Sequence, residues 1–159
     1  MQLSTTCENN IMEVQKDFRE LLELFNGHKV EYMIVGAYAL AFHGAPRFTG
    51  DIDIFVHSSS QNAQRILSAL ADFGFGSLNL TVDDFQNHNS VVQLGSPPVR
   101  IDIITSITGV TWEDAAGGKQ AGLYGNVPVC FLGREQYIAN KRATGRKKDL
   151  ADLEALGEE

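Results

Sequence analysis

Cysteine is nearly absent from this chain. Cys7 and Cys130 lie far apart and show no C-x-x-C spacing, which excludes a dithiol redox motif, a Cys-based zinc site and a disulfide-stapled scaffold. Long apolar runs are missing too: no stretch approaches the ~18 residues of a membrane span, and the N-terminus has no basic region followed by an apolar one. The expectation is a soluble, cytoplasmic protein with no membrane partner. Proline is scarce, with 4 residues against 15 glycines, and no Pro-, Gly- or Ser-rich linker, internal repeat or low-complexity segment divides the chain. Its 159 residues therefore read as a single domain, 1–159, long enough to bury a core without staples, with residues 1–9 frayed. Positive charge is also in deficit. Thirteen Lys and Arg against 20 Asp and Glu leave a net charge of −7, which argues against a general nucleic-acid coat.

What basic charge there is lies unevenly. Six of the 13 cations (Arg134, Lys141, Arg142, Arg146, Lys147 and Lys148) fall within fifteen residues near the C-terminus, a local patch better suited to a compact anion than to a long duplex. The segment 134–156 that carries them reads as helical with a break at Gly145, and Ala151, Leu153 and Leu156 are expected to face inward.

Hydrophobic spacing outlines the rest. Ile11, Val14, Phe18, Leu21, Leu22 and Phe25 recur at helical intervals up to Gly27, and Ala63, Ile66, Leu67, Leu70 and Phe73 repeat the pattern after a Ser58-Ser59-Ser60 cap and before Gly74. Residues 75–81 read as a short strand and 82–89 as an exposed loop. Residues 90–94 and 99–104 flank Gly95-Ser96-Pro97-Pro98 as two strands about a turn, Thr111 opens a short helix, and 122–124 and 127–131 form a hairpin in which Pro128 implies an edge strand. Strands alternating with helices point to an α/β or α+β arrangement, a mixed sheet with helices packed on it.

The most informative stretch runs from Tyr32 to Val56. An apolar strand, Tyr32-Met33-Ile34-Val35, ends in Gly36-Ala37, where a helix begins, and Asp51-Ile52-Asp53-Ile54-Phe55-Val56 follows. Asp is depleted in strands, yet two stand here on one face of a β-prone run, roughly 6.6 Å apart by the rise per residue. Two carboxylates so placed call for positive charge between them. A small-residue turn into a helix N-terminus favours a phosphate nearby. A third acid, Asp102, interrupts Ile101, Ile103 and Ile104 on the face it shares with Arg100. A carboxylate there is costly unless it pairs with an Arg or Lys or binds a metal, and the sequence leaves both readings open.

The run Val35-Gly36-Ala37-Tyr38-Ala39-Leu40-Ala41-Phe42-His43-Gly44-Ala45-Pro46-Arg47-Phe48-Thr49-Gly50-Asp51-Ile52-Asp53 resembles the signature of the polymerase-beta-like nucleotidyltransferase superfamily, closest to its small bacterial members. The segment from Ile138 to Leu153, with Lys141, Arg142, Arg146, Lys148, Asp149 and Asp152, resembles their terminal helices. The resemblance implies a nucleotidyltransferase fold and a metal-dependent transfer of a nucleoside monophosphate from an NTP, ATP or another, to a hydroxyl on RNA, protein or a small molecule. It implies that Asp51, Asp53 and Asp102 are catalytic and hold two Mg²⁺ ions, or Mn²⁺ in their place, and that Gly36, Ala37, Arg47, Thr49, Lys141 and Lys148 serve the nucleotide. A further reading, from the charge of the segment itself, is that the basic tail from Arg134 to Lys148 docks an RNA acceptor. At the second turn position the family usually has Gly or Ser, and here Ala37 keeps the backbone donor without a hydroxyl. The alternative is a non-catalytic binding protein on the same fold, such as one half of a toxin–antitoxin pair with a cognate protein partner. His43 reads as a helix-end residue satisfied by backbone, and Asp149 as a phosphate-site residue or a tie for the last helix.

Overall fold

A computed structural model describes residues 14–47, 49–96 and 99–158. The expected fraying of residues 1–9 and the first turn of the opening helix lie outside them. Helix α1 (Lys16–Gly27) buries Phe18, Leu21, Leu22 and Phe25, the stripe its spacing predicts. Strand β1 (Tyr32–Val35) is buried on both faces and passes directly into helix α2 (Gly36–Phe42). Strand β2 (Asp51–Val56) carries the paired acids. Helix α3 (Ser60–Leu70) starts at Ser59, whose Oγ accepts from the Asn62 N–H at 3.1 Å.

Six strands form one mixed sheet, completed by β3 (Val91–Ser96), β4 (Val99–Ile104), β5 (Gln120–Tyr124) and β6 (Val127–Phe131), in the order β3-β4-β2-β1-β6-β5. Strands β2 and β4 are parallel neighbours at its centre, and β1 flanks β2 antiparallel. The core joins the sheet to α1 and α3 through Leu21, Leu22, Phe25, Ile34, Ile52, Ile54, Ile66 and Ile103, all under a tenth exposed. At roughly 25 cal/mol per Å² of apolar surface buried, these side chains dominate the driving force for folding. The fold class is thus α+β, a mixed sheet with helices packed on it.

Three local expectations are corrected. Residues 75–81 form no strand: the chain makes a π turn at Ala71–Phe75 and a 3-10 turn at Gly76–Leu78, with Gly74 (φ 104°) and Asn79 (φ 58°) both in left-handed conformations that break an extended run. The expected loop after it opens as helix α4 (Val82–Gln86), because Thr81 and Asp84 form a capping box in which the Thr81 N–H donates to Asp84 Oδ2 at 2.7 Å. Strand β6, which carries Pro128, is not the sheet edge; β5 is. Proline is tolerated because β6 pairs with β1 only at Phe131, so the Pro128 stretch has β5 alone as a strand neighbour, and its carbonyl accepts from Asn26 Nδ2 at 2.8 Å.

Helix α5 (Trp112–Gly118) begins at the Thr111 cap. The C-terminal segment divides where expected: α6 (Arg134–Thr144) ends at Gly145 (φ 64°), and α7 (Lys147–Ala155) follows. Its inward face is Asp149, Asp152 and Leu153, with Leu156 half-buried; Ala151 is exposed, contrary to expectation. A purely apolar criterion misplaces the face, since two of its members are acids with cationic partners. Among the described residues no helix is long and apolar enough to cross a membrane.

Candidate active site

Parallel pairing of β2 with β4 sets Asp51 opposite Arg100 and Asp53 opposite Asp102. Side chains opposite one another in register share a face, so the three acids and Arg100 stand on one side of the sheet, at the end of β1 where α2 begins. The cation that two close carboxylates require is Arg100. One of its terminal nitrogens lies 3.2 Å from Asp51 Oδ2 and 3.2 Å from Asp102 Oδ2, while Nε donates to Asp102 Oδ1 at 3.0 Å. The sequence placed Arg100 on the face of Asp102 without assigning it; the i, i+2 spacing in β4 was the available signal. Among the described residues no group of three His, Cys, Asp or Glu is arranged as it stands to hold an ion.

Asp53 is the strained member. Burial first, then the charge and hydrogen bond of Asp102 and the charge of Asp51, push its carboxyl up to about 6, against a small lowering by Lys141. Over the window from the ordinary carboxylate value to about 6 the folded state binds a proton that the unfolded chain has released. Stability contributed by this residue therefore falls as pH rises through that window and is flat above it. The Tm difference between wild type and Asp53→Asn, followed from pH 4 to 7.5, is expected to shift against the wild type up to pH ~6 and then level off.

Gly36 closes the site from the side of β1. Its φ is +69°, and a Cβ added there would collide with the Asp53 carboxylate. Both facts require glycine. Ala37 is buried at the first turn of α2, which starts without a side-chain cap. Thr49 hydrogen-bonds the backbone of Asp51, accepting from its N–H at 3.2 Å, and so fixes the start of β2. His43 shares a 2.7 Å hydrogen bond with the Leu132 carbonyl, tying α2 to the chain after β6.

The C-terminal helices supply the cations and hold them with acids. Lys141, with a side chain only 12% exposed, reaches Asp149 at 3.4 Å, lies 5.3 Å from the centre of the Tyr137 ring and is close enough to Asp53 to oppose its upward shift. Asp149 is fully buried. Burial opposes its charge, but hydrogen bonds from Arg146 (2.8 Å) and Thr144 (2.6 Å) and the charge of Lys141 prevail and hold the carboxyl well below the usual range. Asp149→Ala, which strips Lys141 and the α6–α7 junction of their anion, is expected to cost about 3 kcal/mol or more in urea unfolding at pH 7. Arg47 sits 3.6 Å from Asp152 Oδ1, in the neighbourhood of the buried Tyr137 hydroxyl. Lys148 is exposed on α7. Of the expected residues, then, Asp51, Asp53, Asp102, Gly36 and Lys141 come together, Thr49 acts through the backbone of Asp51, and Arg47 is held against α7.

The backbone is similar to that of a proposed nucleotidyltransferase from Thermotoga maritima, at 16% identity over 88% of this chain and 88% of that one, with a TM-score of 0.56. The chain has the nucleotidyltransferase fold. A looser likeness, with a TM-score of 0.47 and 17% identity over 86% of this chain and 70% of the other, is to an antigenic nucleotidyltransferase-like protein from Paracoccidioides brasiliensis. No family model matches the sequence, and no curated protein matches it significantly. In this nucleotidyltransferase fold the acids stand on the two central parallel strands and Gly36 at the strand-to-helix turn beside them.

Proposed function

We propose that this chain is a nucleotidyltransferase that moves a nucleoside monophosphate from an NTP to a hydroxyl acceptor. The observation that carries the reading is the register of β2 and β4, which sets Asp53 against Asp102 and Asp51 two residues away on the same face, beside a glycine whose Cβ position lies against the Asp53 carboxylate. Three carboxylates offer a hard, all-oxygen donor set of the kind that suits Mg²⁺ or Mn²⁺ once Arg100 releases two of them, and a cation would relieve their mutual repulsion, which adds to burial in raising the Asp53 carboxyl. Asp51, Asp53 and Asp102 would hold the ions, which when bound neutralise charge on the triphosphate and on the departing pyrophosphate.

In the transfer the acceptor oxygen attacks the α-phosphorus, the bond from that phosphorus to the bridging oxygen breaks, and pyrophosphate leaves. Asp102 helps to take the proton from the acceptor hydroxyl. Lys141, held by Asp149 at the side of the cluster, and Arg47 offer positive charge to the phosphates, and the Gly36-Ala37 turn lets the backbone approach them closely. The test is incubation of the protein with α-labelled NTPs and Mg²⁺ against total RNA, total protein and small hydroxylated acceptors. Label moving to one acceptor class in wild type and not in Asp51→Ala supports the reading; no label transferred to any of them opposes it.

A second reading, a non-catalytic binding protein such as one half of a toxin–antitoxin pair, is favoured by one observation: Arg100 pairs with both Asp51 and Asp102 and offsets part of their charge. Co-purification of a second small protein, together with no metal-dependent NTP binding, would support it. The same pairing pattern bears on an RNA acceptor. Of the six tail cations, Arg134 and Arg142 meet Glu158, and Lys141 and Arg146 meet Asp149. Exposed Lys147 and Lys148 remain for a phosphate backbone, so RNA docking there would be weak and would fall with added salt.

A further inference from the structure

The placement of Arg100 has a meaning beyond charge balance, one that rests on the proposed nucleotidyl transfer. We infer that Arg100 is a tethered counter-cation that a divalent ion must displace from Asp51 and Asp102, so that this one side chain sets the metal affinity of the site.

The geometry is specific. Arg100 stands directly opposite Asp51 across the β2–β4 pair and two residues before Asp102 on its own strand, so one guanidinium can span carboxylates from two strands. It does so with three contacts of 3.0–3.2 Å, and its terminal nitrogen engages Oδ2 of both acids. Asp51 and Asp102 would also be ligands of a divalent cation, so the two cations would compete for the same carboxylates. The side chain is about a quarter exposed, so it has an open route out of the cluster. A guanidinium does not lose its proton in a protein, so it cannot vacate the oxygens by becoming neutral; it vacates them only by swinging away.

The consequence is an exchange of one cation for another. In the metal-free protein Arg100 holds Asp51 and Asp102 in place and spares the fold an uncompensated cluster of acids. A divalent ion would have to draw Asp51 and Asp102 towards Asp53 as it displaces Arg100, and the cost of releasing Arg100 would be subtracted from its binding. A ligand that brings its own negative charge, such as a triphosphate, would give the displaced guanidinium a new partner and make metal and nucleotide binding mutually favourable.

The test is titration of the full chain with Mn²⁺ alone, read by electron paramagnetic resonance of the free ion, and thermal unfolding with and without it. Arg100→Met keeps the bulk and removes the charge. It is expected to bind Mn²⁺ about tenfold more tightly than wild type, the equivalent of ~1.4 kcal/mol, to melt at a lower temperature without metal, and to gain more from saturating Mn²⁺. A variant that folds only with Mn²⁺ present would support the same exchange. Arg100→Lys keeps the charge without the fork and is expected to bind Mn²⁺ more tightly than wild type; it decides the matter if the Met variant does not fold at all. Wild type that binds Mn²⁺ while the folded variants bind it no more tightly would overturn the inference and leave the nucleotidyltransferase reading standing. No binding by wild type or variants would overturn both.

Discussion

Asp53→Asn is expected to abolish nucleotidyl transfer and, at pH 7, to leave the protein at least as stable as wild type. The two effects have one cause. Asp53 faces Asp102 across the β2–β4 pair, is partly buried, and has its carboxyl pushed up to about 6 because burial and the neighbouring acids oppose its charge. A site that holds such a carboxylate ionised near neutrality keeps an unfavourable group for the sake of its chemistry. An amide of the same shape removes the repulsion, worth on the order of 1 kcal/mol, or about 2–4 °C in Tm for a chain of this size. It also removes a charged oxygen that the proposed reaction would use. Loss of a positioned acid–base or ligand group lowers turnover by about 10²–10⁴-fold, so labelled transfer should fall to background while the Tm at pH 7 holds or rises. A marked loss of stability at pH 7 would instead mean that the Asp53 carboxylate supports the fold.

Gly36→Ala is expected to act through the same carboxylate from the other side. At φ +69° an alanine bears a strain of about 1 kcal/mol. The added methyl group meets Asp53 and must move it, because the nearest atoms all belong to that side chain. Metal-dependent NTP binding should weaken at least tenfold, and labelled transfer by up to about 100-fold, the cost of misplacing a reacting group by about 1 Å. Gly44→Ala provides the control. It has a φ of +109° and open space around the position of a Cβ, so it carries backbone strain without touching the site. It should cost stability and leave NTP binding unchanged. Equal losses of binding in the two variants would show that strain at the α2 ends, not the approach to Asp53, explains Gly36.

These residues also show what was legible in the sequence and why. Asp51, Asp53 and Asp102 stood out because carboxylates interrupted apolar strand runs, and strand periodicity placed them on one face without any tertiary information. Gly145 was legible as a helix break, and its φ of 64° is the reason. The need for a cation among the acids could be read from electrostatics alone, but its identity could not: a metal and an arginine satisfy the same requirement, and only the register that sets Arg100 against Asp51 chooses between them. Helix α7 turns Leu153 and Leu156 inward as expected but Ala151 outward, because Asp149 and Asp152 share the inner face, paired with Lys141, Arg146 and Arg47, and a reading by apolar residues alone does not place acids there. The segment 71–86 misled for another reason. Left-handed Gly74 and Asn79 turn an apolar stretch that otherwise suits a strand, and a five-residue helix held by the Thr81 and Asp84 caps is too short to show a period.

The most direct test of the account is calorimetric titration of the folded chain with each of the four NTPs, with Mg²⁺ and then with the metal chelated. The account predicts that at least one NTP binds only when Mg²⁺ is present, and that Asp51→Ala loses this binding while keeping a cooperative unfolding transition. Binding of no NTP by folded protein in the presence of Mg²⁺, or equal affinity with and without the metal, would contradict it.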